Sequence, residues 1–199
     1  MMDSLGYSLL ELQRQFGYPK QEAPVELLKS VLAERHFYDL NCKMALLIFG
    51  IDHPHILPHE VPSGGPSDSV AWFPRLNVTP TVHADVKISL YISQRTCDRI
   101  SLDEAVFQFA RQVTLMRLWC YGHEFQNSDM MVDIATMFFG FAEHRAKGWC
   151  PCSEEPELDF VTSFDLVYQK EKKPKQKCCL SDADAVEVAR RIKKNRINA

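Results

Sequence analysis

A pair of helix-patterned segments, 102 to 121 and 129 to 146, constrains the fold of this chain more than any other feature. The first opens on Ser101-Leu102-Asp103-Glu104, a capping box in which a hydroxyl and a carboxylate satisfy amides left unpaired at a helix start. Asn127-Ser128 offers the cap for the second, and Gly148 stands where that helix would stop. Phe109, Val113 and Met116 share one face of the first segment. Met130, Ile134, Met137, Phe138 and Phe141 make the second a core helix. Apolar faces of this kind bury each other, which predicts that Phe109, Val113, Met116, Ile134, Met137 and Phe138 share one core.

Around this pair the pattern changes. Val86 to Ile92 alternates in the manner of a half-buried strand, and the spacing predicts that it lies against the two helices. Met44 to Phe49 is a short apolar run bounded by Gly50 and reads as a buried strand; Val70 to Phe73 reads as an edge strand and Phe160 to Val167 as a further one. Two short helices, Tyr7 to Phe16 and Pro24 to His36, open the chain. Residues 51 to 69, rich in Pro, Gly and His, read as a long loop. Ser181-Asp-Ala-Asp184 caps a last helix with Ala185, Val188, Ala189 and Ile192 inward. The expectation is an α+β single domain over 1–199, with a small mixed sheet packed against the core pair of helices. It divides into 1–84 (N-terminal helices, strand and loop), 85–148 (helical core) and 149–199 (Cys-containing segment and basic helix).

Composition sets the setting. With 199 residues and 46 % of them hydrophobic, one sizeable core is the default. The opening residues lack the basic and apolar regions of a signal peptide, and no apolar run is long enough to span a bilayer. Seven cysteines, an odd number, suit reduced thiols or metal ligands better than a disulfide framework. A cytoplasmic location away from any membrane is expected. The net charge of -3 hides an asymmetry: residues 169 to 199 carry ten Lys/Arg against four Asp/Glu, +6, which leaves -9 elsewhere. Only the C-terminal end would attract nucleic acid.

Asp129 and Asp133 lie four apart on one helix face, at the end where the helix dipole favours carboxylates. They read either as acids that decorate a helix start or as a face for a cation. The order strand (VKISLYIS), helix (DEAVFQFARQVTLMRLW), loop, helix (SDMMVDIATMFFGFAEHRAKG) and late helix (LSDADAVEVA) resembles the small zinc-metallopeptidase-like domains of bacteria. The resemblance spans residues 85 to 197. It places Asp129 on the family's acidic ligand, Asp133 on its Asp, and Phe139-Gly140-Phe141 on its Gly-Phe segment. In the first helix the chain departs from the family. Where the family has His-Glu-x-x-His, this chain reads Arg111-Gln112-Val113-Thr114-Leu115 or, one residue later, Gln112 to Met116. Neither register keeps two histidines or the general-base glutamate that a hydrolytic zinc site needs. The resemblance therefore implies a degenerate site of Arg111, Gln112, Leu115, Asp129 and Asp133, with an Arg111 ion pair in place of the metal.

Other clusters offer separate chemistry. Cys150, Cys152, Cys178 and Cys179 form two close pairs suited to a structural zinc or simply to reduced thiols, with Lys172, Lys173, Lys175 and Lys177 nearby to favour thiolates. His53, His55 and His59 in the Pro-rich loop read as metal donors or as solvated side chains. His123-Glu124 copies part of a peptidase motif but falls in a loop, where its spacing cannot set two ligands on one face. The basic end carries no aromatic residue between 170 and 199 for base stacking.

The expected function is a catalytically inactive, metallopeptidase-like scaffold that serves as a binding subunit or adaptor in a larger protein complex. Two alternatives stand beside it. One is a metal-dependent hydrolase with His123, Asp129 and Asp133 as unusual ligands, and the other an accessory protein that meets nucleic acid through the basic end.

Overall fold

The computed structural model describes residues 4–50, 56–61, 71–73, 88–146 and 180–197. Helices α1 (Ser4–Phe16), α2 (Val25–Ala33) and α3 (Phe37–Phe49) precede the strands β1 (Ile56–Val61), β2 (Ala71–Trp72) and β3 (Ile88–Ser93). A single turn, α4 (Gln94–Cys97), leads to the long α5 (Leu102–Cys120) and a 3-10 turn at Glu124–Asn127. Then come α6 (Asp129–Thr136), a π-helical segment (Met137–Phe141), α7 (Ala142–Ala146) and α8 (Asp182–Ile197). Serine caps mark four of the helix starts, Ser93 Oγ accepting from the Thr96 amide at α4. Ser101 Oγ accepts from the Glu104 amide, Ser128 Oγ from Met131 and Ser181 Oγ from Asp184.

The expected α+β class, with a mixed sheet as one layer of the core, is overturned: the described residues are mostly helical. Strand β3 bears two short backbone ladders, parallel to β1 and antiparallel to β2, and these edge a helical body without forming a layer of it. Within the core pair, α5 is covered chiefly by α2 and α3 and α6 by α1 instead. Phe109, Val113, Met116, Ile134, Met137 and Phe138 are all buried there.

The strand expected at 44 to 49 is the second half of α3. Phe37, Leu40, Asn41, Met44, Ala45 and Ile48 are its buried residues, a helical spacing that begins seven residues before the apolar run. An unbroken apolar run carries no period of its own, so only the residues ahead of it reveal the helix. Gly50 ends it in the left-handed region at φ 74°, its amide bonded to Leu46 O. Within the segment read as a featureless loop, Ile56 to Val61 is extended along β3. The strand expected at 160 to 167 and the stop at Gly148 lie outside the described residues.

The helix expected to run unbroken from 129 to 146 is interrupted. At Gly140 the backbone turns to φ 119°, and the carbonyls released there bond to another part of the chain. Phe138 O accepts from the Lys20 amide at 3.0 Å and Gly140 O from the Ala23 amide at 2.6 Å, which fastens the α1–α2 connector to the core helix. A Cβ on residue 140 would meet Gln21 O at 2.6 Å. Both the torsion and the contact require glycine. Gly140→Ala is expected to cost about 3 kcal/mol, since backbone strain and a backbone clash add; a urea-unfolding midpoint equal to that of the parent protein would contradict this account of the kink.

Candidate functional site

Helices α5 and α6 bring three of the sequence-selected residues together. Arg111, midway along α5, donates from Nε to Asp133 Oδ1 at 2.7 Å and from Nη2 to Asp129 Oδ1 at 2.5 Å. The four-residue spacing of the aspartates on α6 sets them one turn apart, so a single planar guanidinium reaches both. The two arms differ in setting. The Asp133 side chain is fully buried, whereas Asp129 is 61 % exposed, so the first arm is shielded from water and the second is a surface contact.

Asp133 has a second cation near it. Arg145 on α7 is fully buried, donates from Nη1 to Asp182 Oδ1 at 2.8 Å and from Nη2 to Leu180 O at 2.5 Å. The Leu180 amide in turn points to Asp133 Oδ2 at 3.5 Å. The chain Asp129–Arg111–Asp133–Leu180–Arg145–Asp182 thus links α5, α6, α7 and the start of α8. Burial pushes the Asp133 carboxyl up from its ordinary range, while Arg111, Arg145 and the Leu180 amide hold it down. For Arg111 burial works to lower the guanidinium, but Asp133 and Asp129 outweigh it and leave it raised.

A metal of the peptidase kind does not fit these residues. A permanent cation already occupies the space between the two carboxylates, and Gln112 and Leu115 bring no ligand of the expected type; Leu115 packs against the core. Among the described residues no three His, Cys, Asp or Glu side chains converge as a metal site would require. The alternative ligand set of His123, Asp129 and Asp133 is therefore not assembled. His123 is buried elsewhere, stacked on Phe16 with centroids 5.7 Å apart and edge-on to Phe125 at 4.4 Å. Its Nδ1 accepts from the Phe125 amide at 3.1 Å, which caps the 3-10 turn. His59 is exposed beside the Tyr91 ring. His53, His55 and the four cysteines Cys150, Cys152, Cys178 and Cys179 lie outside the described residues.

Two charged residues that sequence reasoning passed over shape this region. Arg145 falls on the apolar stripe of Phe138 and Phe141, and Arg117 on that of Ala110 and Val113. A charge on an apolar stripe is the signal that would have found them. Arg117 is 7 % exposed, and its guanidinium lies 4.6 Å from the Phe16 centroid and 4.5 Å from that of Phe139. Burial lowers its pKa, opposed by the charge of Tyr121 and a hydrogen bond to it. No family model, curated protein or solved structure matches the chain.

Two expectations follow from this geometry. Arg111→Ala leaves Asp133 buried with one cation fewer and is expected to destabilise the fold by about 3 kcal/mol, whereas Asp129→Ala should cost under about 1 kcal/mol; equal losses in chemical denaturation would remove the distinction between the arms. The second concerns pH. Burial, opposed by Glu11 and Glu124, lowers the His123 pKa, so in acid the unfolded chain takes up the proton before the folded one does. Stability should fall as the pH drops below about 6.5. In His123→Asn, which retains an acceptor for the Phe125 amide, the fall in Tm between about pH 7 and about 5.5 should be smaller. An unchanged slope would assign the acid sensitivity to other groups.

Proposed function

We propose that this chain is a non-catalytic binding scaffold, a subunit or adaptor of a larger protein complex, whose former metal position is closed by an ion pair. The observation that supports the reading is Arg111 bonded to both Asp129 and Asp133. Hydrolysis by zinc needs about three protein donors, an open coordination position and a carboxylate free to take a proton from water. Here both carboxylates are engaged by one arginine, and among the described residues no three His, Cys, Asp or Glu side chains converge as metal ligands would. The chemistry left to such a protein is recognition. No described helix is long and apolar enough to cross a membrane.

The test is metal analysis of protein purified without added zinc, read together with a peptidase assay. The expected outcome is no metal at the α5–α6 site and no cleavage, with partners that co-purify with the tagged chain. Zinc dependent on Asp129 together with peptide cleavage, both lost in Asp129→Ala, would instead make the chain an unusual enzyme. The triple substitution Arg111→His, Gln112→Glu and Leu115→His supplies the missing donors at helical spacing. It should raise zinc affinity over the parent protein, measured by competition with a chromogenic chelator.

A further inference from the structure

The outer faces of α1 and α8 form an open cleft of about 410 Å³. Its α1 wall is made by Leu9, Leu10 and Gln13, and its α8 wall by Arg190, Arg191 and Lys194. Leu9 is buried and forms an apolar floor, while Leu10 at the rim is 53 % exposed. Tyr7, one turn before Leu10, and Val186, one turn before Arg190, are also exposed, at 55 % and 54 %. Apolar side chains in water thus line up beside a row of cations. Glu187 is shared between Arg190 and Arg191, with contacts of 2.8 Å and 2.6 Å, and Lys194 adds a further cation to the wall. Residues 169 to 199, which include this wall, carry a net charge of +6 against -9 for the residues before them.

We infer that this cleft docks an amphipathic acidic segment of a partner protein, with an apolar side chain against Leu9 and Leu10 and carboxylates on Arg190 and Lys194. The inference rests on the binding-scaffold reading above and names the surface that would do the binding. Charge selects the occupant. A groove with a leucine floor and a cationic rim matches a helix that carries leucine on one face and glutamate beside it. A nucleic-acid backbone would use the cations but leave the leucine floor idle, and would find no aromatic residue on α8 for stacking. The sequence spacing supports the geometry: Val186, Arg190 and Lys194 recur every fourth residue on one side of α8, and Tyr7 and Leu10 on one side of α1.

The probe is a fluorescein-labelled Glu/Leu amphipathic peptide of about 18 residues, roughly five helical turns, titrated with the full chain and read by anisotropy. Binding is expected, and Arg190→Glu with Lys194→Glu should weaken it by about tenfold or more. Leu10→Ser should weaken it as well, and so should replacing the leucines of the peptide by serine. These side chains are at the surface, and an unchanged melting curve checks that each variant is folded. Peptide binding indifferent to both protein variants would overturn the inference. So would tighter binding of a single-stranded DNA oligomer that is lost in the charge-reversed variant, which would make the cleft a nucleic-acid site. The tagged chain separates the two claims. A co-purifying partner retained equally by parent and charge-reversed protein sinks the cleft and leaves the scaffold reading standing. Zinc-dependent peptide cleavage by a protein that still binds the probe sinks the scaffold reading and leaves the cleft.

Discussion

Burying the charge of Asp133 is the constraint on which much of the helical body depends. A carboxylate removed from water needs opposite charge and hydrogen bonds close by, or the fold loses several kcal/mol. Arg111 supplies them from α5, and the Leu180 amide and Arg145 supply them from the segments that meet α8 and α7. Each donor comes from a different part of the chain. The carboxylate can be satisfied only when α5, α6, α7 and α8 stand in one arrangement, so the network favours that packing over others with equally good apolar contact. The same arrangement sets the Arg111 guanidinium against both aspartates of α6.

The second organising feature is backbone. The π segment releases the carbonyls of Phe138 and Gly140, and the connector after α1 takes them up through the Lys20 and Ala23 amides. Glu22, in the same connector, accepts from the Glu143 amide at 2.7 Å and from Arg196 at 3.1 Å. A defect in one helix thereby becomes the anchor of another stretch of chain, with a glutamate that joins it to the start of α7 and the far end of α8. Helix-to-helix packing by apolar faces supplies the bulk of the stability, and these polar contacts decide how the faces are aligned.

Much of the helical core was legible because its signals are local. Capping at Ser101, Ser128 and Ser181 and the periodicity of Phe109, Val113 and Met116 depend only on neighbours within a few residues. Nearness of Arg111 to the aspartates was suggested by a resemblance that no comparison supports, and it is seen here as geometry alone. What remained hidden depends on partners remote in sequence. Met44 to Phe49 resembles a strand until the residues before it are counted. The kink at Gly140 is invisible without the connector that fills it, and the positions of Arg145 and Arg117 make sense only beside Asp182 and the Phe16 and Phe139 rings. The expectation of a sheet layer failed for a related reason. Alternation identifies a strand but not what it covers, and here other helices, α2 and α3 on α5 and α1 on α6, cover the pair that the strand was expected to cover.

The bonds made by Glu22 carry a consequence for the order of events during synthesis. The connector that holds α1 to α2 closes on residues near 140 and near 196, so its polar groups do not all have their final partners until the residues near 196 have left the ribosome. At ordinary rates of translation that interval is on the order of ten seconds or more. Through it the apolar faces of α1 and α2 emerge ahead of the surfaces that will bury them, a period in which a nascent chain depends on being shielded from its neighbours.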